Sequence, residues 1–219
     1  MAEPLALFPL NTVLFPGVPL PLHIFEERYR LLVREIVEGP APRRFGVIAI
    51  RQGLETGGEE TVLYDVGCVA ELRRVDPYAD GRYDIVTTGG PRFRLVDVDD
   101  SRPYLRGAVE YLRDEPGENA DARALAVIAE FTAYWNVVAE AREEEVAPPS
   151  LPDDPALLSY LVAAALVVDL PEKQSLLTIP DTATRLRQEL SVLRRETALL
   201  RRLLDDPPQA QTAGPFSLN

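Results

Sequence analysis

The order of short apolar runs and prolines at the start of the chain constrains the fold more than any other feature. Residues 5–10 and 12–15 are apolar runs of strand length, and Pro16-Gly17 after them is a strong turn signal. In residues 18–24, apolar side chains alternate with two prolines and a histidine. Because proline has no N–H for a sheet ladder, this pattern predicts a strand at a sheet edge or barrel rim.

The period of the apolar residues changes directly after this run. Phe25, Tyr29, Leu32 and Ile36 recur at spacings of four, three and four. This spacing predicts an amphipathic helix of about three turns, and Gly39-Pro40 is a typical end for it. One helix therefore enters the chain early, between strand-like segments.

Strand signals then return and continue to about residue 112. The runs are residues 45–50, 62–64, 68–75, 83–87, 93–98 and 105–112. We expect turns at Gly57-Gly58, Asp80-Gly81, Gly89-Gly90-Pro91 and Asp99-Asp100. Six or more short strands with one inserted helix predict a small, partly open barrel.

After about residue 113 the pattern becomes helical. We expect a long helix capped by Asn119 and reaching about residue 145, with one apolar side made by Leu125, Ile128, Phe131, Trp135 and Val138. Asp154 and Pro155 have the residue types preferred at the N-cap and first position of the next helix. A short helix over residues 171–179 and a last helix from about residue 181 follow.

These patterns together predict an α+β fold. We expect a β-barrel subdomain over residues 1–113 and a helical bundle over residues 114–204. Residues 205–219 are polar and contain proline, so we expect a flexible tail.

The last helix allows two interpretations. Its leucines follow a near-heptad path, and it carries six arginines, at positions 185, 187, 194, 195, 201 and 202. One interpretation is packing within the chain, on the acidic helices that precede it. The other is a helix that binds a partner or a second copy. Because the leucine repeat is short and interrupted by Thr197, we expect a monomer.

The charge balance limits the class of partner. The formal net charge is −12, and residues 1–118 and 119–219 each contribute −6. Nucleic-acid backbones require positive surface, so we expect no nucleic-acid partner. No apolar run approaches the roughly 18 residues of a membrane span, and no signal segment opens the chain, so we expect a cytoplasmic protein without membrane contact.

The sequence contains few groups suited to catalysis. His23, Lys173 and Cys68 are the single histidine, lysine and cysteine. Lys173 has no glycine-rich phosphate loop, and we expect it to be exposed; we expect Cys68 to be a small buried side chain. One histidine and one cysteine cannot build a usual zinc site. We therefore expect no enzyme, no metal and no cofactor, with a hydrolase lacking a recognisable motif as the alternative.

Several segments resemble the Lon substrate-binding domain family. They are Phe8-Pro9-Leu10, Val13-Leu14-Phe15-Pro16-Gly17, Pro21-Leu22-His23-Ile24-Phe25-Glu26 and Arg28-Tyr29-Arg30. Further similar segments are Asp65-Val66-Gly67 with Ala70, Asp80-Gly81-Arg82-Tyr83, and Gly89 with Arg92-Phe93. The similarity is looser after residue 113, at Lys173-Gln174, Leu176-Leu177 and Arg185-Leu186. The resemblance implies a barrel related to the pseudouridine-synthase and archaeosine-transglycosylase (PUA) modules, followed by a helical bundle. It also implies recognition of unfolded or tagged proteins. Since no motor or protease motif is present in the sequence, we expect a stand-alone member of the family.

The leading hypothesis is therefore a non-enzymatic module that binds a polypeptide or a protein partner in proteolysis or quality control. We expect its binding surface at the polar edge formed by Pro19, Pro21, His23, Glu26 and Arg30. The nearby aromatic residues are expected in the core; they are Phe8, Phe15, Phe25 and Tyr29. An RNA-binding PUA relative is a further alternative, which the net charge opposes.

Overall fold

A computed structural model describes residues 2–53, 55, 61–144 and 147–205, which contain seven strands and five helices. The strands are β1 (Glu3–Leu10), β2 (Pro19–Ile24), β3 (Arg44–Gln52), β4 (Val62–Leu63), β5 (Val66–Pro77), β6 (Tyr83–Asp99) and β7 (Arg106–Tyr111). The helices are α1 (Glu27–Glu38), α2 (Ala120–Ala141), α3 (Pro155–Ala165), α4 (Leu170–Thr178) and α5 (Thr182–Asp205). Apart from Asp205, which ends α5, the predicted flexible tail lies outside the described residues.

The sheet curves back on itself through β1. Its first half, residues 3–6, pairs antiparallel with β7, and its second half, residues 7–10, pairs in parallel with β3. The intervening order is β7–β6–β5–β3, with β4 attached to β3 and β2 attached to β6. Because β7 and β3 each pair with only half of β1, the sheet is a partly open barrel and not a closed one.

Strand β6 corrects one predicted turn. Gly89-Gly90-Pro91 lies inside a single 17-residue strand, where the sequence pattern predicts two strands. The pairing with β5 shifts register at this point, which bends β6 without ending it. Gly89 also lies against the backbone of Phe15, whose carbonyl oxygen would overlap any Cβ at this position. The glycine is therefore required by a close approach between two chain segments.

Helix α1 begins two residues later than Phe25, and this corrects a second expectation. Phe25 lies in the link between β2 and α1 and is 62% exposed, whereas Tyr29 and Leu32 are buried. Glu26, at the N-cap, still has extended backbone, with φ −66° and ψ 136°. Phe25 therefore does not continue the helical stripe. The other three aromatics expected in the core, Phe8, Phe15 and Tyr29, are buried as predicted.

Helix α2 begins directly after Asn119, as predicted, but its capping, its C-terminal end and its buried side differ from the prediction. It ends at Ala141, and Asn119 adopts the left-handed conformation (φ 60°) without a side-chain cap bond. Leu125 is 71% exposed, while Ala124 beside it is buried. Adjacent helical positions point about 100° apart, so a buried side that includes a small alanine turns Leu125 to solvent.

Helix α3 begins with the predicted Asp154 cap, and α4 begins with a cap of the same kind. The side chain of Asp154 accepts hydrogen bonds from the backbone N–H groups of Ala156 and Leu157, at 2.8 and 3.4 Å. Asp169 caps α4 in the same way, accepting from Glu172 N at 2.9 Å. These caps satisfy backbone donors that have no partner inside the helix.

Helix α5 packs within the chain, as one of the two interpretations predicts. It lies along α2 in the same direction, since Arg123 contacts Ala183 and, further along, Arg194 Nε lies 2.9 Å from Glu130 Oε1. The helices also share a core with the barrel: Phe15 and Val66 belong to the same buried cluster as the apolar sides of α2 to α5. The predicted subdomains therefore meet through a common apolar interior.

Candidate functional site

Strand β2 is an edge strand, as its prolines predict, since β6 is its only strand neighbour in the described part of the chain. Val18 O accepts a 2.9 Å hydrogen bond from Gly89 N, so the backbone of residue 18 faces β6. Backbone direction alternates along a strand, and Pro19, Pro21 and His23 therefore direct their backbone groups to the free edge. Two of these three positions lack an N–H donor.

His23 connects this edge to the hairpin between β5 and β6. Its Nδ1 lies 2.6 Å from Asp84 Oδ1, and Tyr78 donates its hydroxyl hydrogen to Asp84 Oδ2 at 2.5 Å. The hydrogen bond from Tyr78, followed by that from His23, lowers the pKa of Asp84. Asp84 is therefore an ionised acceptor that holds two aromatic side chains in place.

Three aromatic side chains cluster at this point: His23, Phe25 and Tyr78, here called the aromatic patch. The ring of His23 lies 6.2 Å from that of Phe25 and 6.0 Å from that of Tyr78, measured between centroids. Phe25 and Tyr78 are 62% and 44% exposed. Sequence reasoning missed both residues, although a tyrosine beside the Asp80-Gly81 turn is a signal for an exposed aromatic.

Arg30, a predicted site residue, contacts the same hairpin. It donates to Gly81 O at 2.7 Å and to Asp80 O at 2.9 Å. Gly81 has a φ of +83°, and a side chain there would collide with the guanidinium group. Arg30 therefore positions the hairpin, and with it Tyr78, beside His23.

Glu26, directly after Phe25, contacts the start of α1. Its carboxylate accepts a 2.9 Å bond from Arg28, whose guanidinium lies 4.4 Å from the centre of the Tyr29 ring. Burial raises the pKa of Tyr29 to about 12. An open hollow of about 710 Å³ borders this arrangement; its lining is Glu26, Glu27, Arg28, Arg30, Leu31, Arg34 and Pro103. Arg30 thus lies between the hollow and the aromatic patch.

Pro19 and Pro21 are exposed and lie further along the outer side of β2. At about 3.3 Å a residue, Pro19 is about 13 Å from His23. The structure therefore places the five predicted residues along a strip from β2 to the start of α1. It brings His23 and Arg30 to one hairpin, and it does not gather all five into one pocket.

Arg92 and Gln174, two later residues of the family resemblance, are buried and do not belong to this surface. Arg92 of β6 is 1% exposed and donates to Leu177 O at 2.7 Å, Ile179 O at 2.8 Å and Asp114 Oδ1 at 2.5 Å. Gln174 of α4 donates to Val66 O on β5 at 2.7 Å. These bonds join the barrel to the helices.

Arg185 completes this buried polar junction from α5. It is fully buried, donates to Ser159 Oγ at 2.5 Å and lies 3.8 Å from the centre of the Tyr160 ring. Tyr160 in turn donates to Asp114 Oδ1 at 2.5 Å. Arg185 is therefore part of the interior, whereas the other five arginines of α5 are exposed.

The single lysine, cysteine and histidine do not form a catalytic pair. Lys173 is half-buried rather than exposed; burial lowers its pKa, and Nζ donates to Ala164 O at 2.9 Å. Cys68 is fully buried, as predicted, and burial raises the pKa of its thiol. The second ring nitrogen of His23 faces Arg82 Nη1 at 3.5 Å rather than a hydroxyl or thiol.

The described ranges also bear on metal binding and membrane insertion. No group of three or more His, Cys, Asp or Glu side chains there is placed to hold a metal ion. None of the helices in these ranges is both long and apolar enough to cross a membrane.

Comparisons with known proteins agree with the sequence resemblance. Residues 4–195 match the sequence model described as the ATP-dependent protease La (LON) substrate-binding domain. Lon protease 2 of Myxococcus xanthus is 29% identical over 209 residues, which cover 90% of this chain and 24% of that protein. Lon protease of Porphyromonas gingivalis is 32% identical over 120 residues, covering 54% of this chain and 14% of that protein.

Two solved structures have a similar fold. A Lon N-terminal domain protein from Xanthomonas campestris superimposes with a TM-score of 0.63 at 25% identity, covering 86% of this chain and 98% of that one. The N-terminal domain of Mycobacterium avium complex Lon protease gives a TM-score of 0.62 at 15% identity, covering 88% and 98%. The chain spans about a quarter of the length of the curated relatives that it matches along most of its length.

Proposed function

Because this chain belongs to the LON substrate-binding domain family, we propose that it recognises polypeptide segments for a proteolytic system and catalyses no reaction itself. The observation that supports this most is the aromatic patch. Exposed aromatic side chains held in fixed positions are typical of surfaces that bind other proteins. Asp84 fixes His23 and Tyr78 by hydrogen bonds, Arg30 fixes the hairpin next to Tyr78, and Phe25 lies against the ring of His23.

The free edge of β2 indicates how a polypeptide would bind. An extended segment that adds to a sheet edge needs alternating donors and acceptors. Pro19 and Pro21 remove two of the three outward donors, so a regular ladder cannot form there. Recognition would therefore use side-chain contacts with Phe25 and Tyr78, with the prolines extending the apolar surface along the strand.

The alternatives receive less support. The RNA-binding alternative is opposed by the formal charge of −12, since phosphate contacts require clustered positive groups. The hydrolase alternative would need His23 to activate a nucleophile, but its two ring nitrogens contact Asp84 and Arg82.

The test measures binding of fluorescein-labelled casein, an unfolded polypeptide, by fluorescence anisotropy. We expect Phe25→Ser combined with Tyr78→Ser to weaken binding at least about tenfold, because loss of two aromatic contacts costs about 1.4 kcal/mol or more. Val96→Ser is the matched control, since Val96 is 55% exposed on the barrel away from the patch. Circular dichroism establishes that each variant folds.

The proposal fails if the unaltered protein does not bind casein at micromolar concentration. It also fails if the Val96→Ser variant loses as much affinity as the double variant, because the aromatic patch would then have no special part in binding.

A further inference from the structure

The outer edge of β2 presents more hydrogen-bond acceptors than donors. The backbone groups of Pro19, Pro21 and His23 face this edge, and the two prolines have no N–H, so three carbonyl oxygens and one N–H point outward. No hydrogen bond from a described residue reaches these carbonyl oxygens. The edge therefore fits a partner that supplies N–H donors without acceptors.

Arginine and lysine are the side chains of that kind, because they carry several N–H donors and no acceptor. Successive outward carbonyl groups of a strand are two residues, or about 7 Å, apart. Side chains at alternate positions of an extended segment project on the same side with the same spacing. Two basic residues separated by one position therefore match two neighbouring carbonyl groups of this edge.

An exposed carboxylate lies beside the same edge. Asp84 is directly opposite His23 in the pairing of β2 with β6, so the two side chains share one face of the sheet. The side chain of Asp84 is 44% exposed, and its hydrogen bonds come from His23 and Tyr78. Its ionised oxygens are therefore within reach of a bound segment.

The arginines of the neighbouring hairpin are held by other groups. Arg82 bonds to the carboxylate of Asp80, and Arg74 bonds to that of Asp76, each at 2.8 Å. Within the described ranges, no arginine lies at ion-pairing distance from Asp84. A basic residue of a partner would supply the charge that this carboxylate lacks.

The exposed rings of the aromatic patch provide a further contact for a cation. The guanidinium group of Arg82 lies 5.5 Å from the centre of the Tyr78 ring and 3.5 Å from His23 Nε2. This surface therefore already accommodates one guanidinium group. The ring of Phe25 is 62% exposed, and its negative face would attract a second cation.

We propose that the aromatic patch and the outer edge of β2 together bind polypeptide segments in which arginine or lysine stands close to a large apolar residue. The apolar residue would contact Phe25 and Tyr78, and the basic residues would donate to the outward carbonyl groups and approach Asp84. The net charge of −12 would draw such segments toward the protein. This inference rests on the proposed function, since it names the class of polypeptide that the same site prefers.

The experiment uses the whole protein and three fluorescein-labelled peptides. Each is a serine-rich peptide of about 12 residues with one phenylalanine and, two and four positions before it, two arginines, two glutamines or two glutamates. We expect fluorescence anisotropy to show at least about tenfold tighter binding of the arginine peptide than of the glutamate peptide, with the glutamine peptide between them. The difference should shrink as salt is raised.

Variants separate the charge of Asp84 from the aromatic contacts. Asp84→Asn keeps an oxygen that accepts from Tyr78, and it should weaken binding of the arginine peptide about threefold while leaving that of the glutamine peptide unchanged. Glu140→Gln, an exposed substitution on α2, is the matched control and should bind all three peptides as the unaltered protein does. Phe25→Ser combined with Tyr78→Ser should weaken all three, since each contains phenylalanine. Circular dichroism establishes that each variant folds.

Two results would overturn the inference. One is equal affinity for the three peptides; if Phe25→Ser with Tyr78→Ser still weakens all of them, the proposed function stands and only the preference for basic segments is lost. The other is an equal loss of affinity for the arginine peptide in the Asp84→Asn and Glu140→Gln variants. The net charge of the protein, and not this site, would then select basic segments.

Discussion

Glu189 is a carboxyl group in the interior of the helical half. It lies on α5 with no exposed surface, near Arg185. Burial raises the pKa of Glu189 well above its usual range, and the charge of Arg185 lowers it by a smaller amount. In the folded protein this carboxyl therefore keeps its proton at pH values where the unfolded chain, with a carboxyl pKa of about 4.3, has released it.

This difference makes stability depend on pH. Above about pH 4.3 the folded state binds more protons at Glu189 than the unfolded state, so the contribution of this group to the free energy of unfolding falls as pH rises. We expect Glu189→Gln to remove this contribution to the decline above about pH 4.3, so that the variant gains stability relative to the unaltered protein as pH rises.

Urea denaturation at several pH values checks this expectation. Glu140→Gln, an exposed substitution on α2, is the control and should leave the pH dependence unchanged. An unaltered slope in the Glu189→Gln variant would show that the carboxyl titrates alike in both states.

At the scale of elements, β2 combines two requirements of an edge strand. Leu20, Leu22 and Ile24 point into the barrel core and attach the strand to β6. Pro19 and Pro21 close the outer side to further strands. Native sheets protect exposed edges in this way against pairing with other chains.

Restoring the two donors should remove this protection. We expect Pro19→Thr combined with Pro21→Thr to associate in a concentration-dependent way, because threonine supplies an N–H and favours strands. Sedimentation velocity and dynamic light scattering measure the association. The same double change at Pro148 and Pro149, exposed in the link before α3, is the control. A monomeric Pro19/Pro21 variant would mean that another feature protects the edge.

At the scale of the whole molecule, buried polar contacts and a shared core join the two predicted subdomains. Arg92 reaches from β6 to the α4–α5 link and to Asp114. Removing the guanidinium leaves buried carbonyl oxygens without donors and takes one positive charge away from the Asp114 carboxylate. We therefore expect Arg92→Met to lower the free energy of unfolding by about 3–5 kcal/mol.

Urea denaturation followed by two probes tests both the size and the cooperativity of this effect. Trp135, the single tryptophan, reports on α2 through its fluorescence, while far-UV circular dichroism reports on all elements. We expect coincident transitions in the unaltered protein, because one core joins the halves. Arg94→Met, exposed on the same strand, is the control and should cost less than about 1 kcal/mol. Two separate transitions would show that the subdomains unfold independently.

Local chemistry explains what could be predicted from the amino-acid order. The order of strands and helices, the edge position of β2 and the Asp154 cap each depend on residues near in sequence. Hydrogen-bonding capacity, proline geometry and apolar period act over a few residues, and the pattern shows them directly.

Contacts between distant segments explain the rest. Phe25 and Leu125 carry the same apolar signal as buried neighbours, yet both are exposed, because side-chain burial depends on which elements pack together. Gly89-Gly90 resembles a turn in the sequence, but in the structure it lies within one long strand and Gly89 packs against Phe15. The aromatic patch likewise joins His23 to Tyr78 across 55 sequence positions, through pairing of β2 with β6. Composition, period and family motifs therefore establish the fold class, whereas the positions of exposed aromatics and buried arginines follow from packing between segments far apart in the chain.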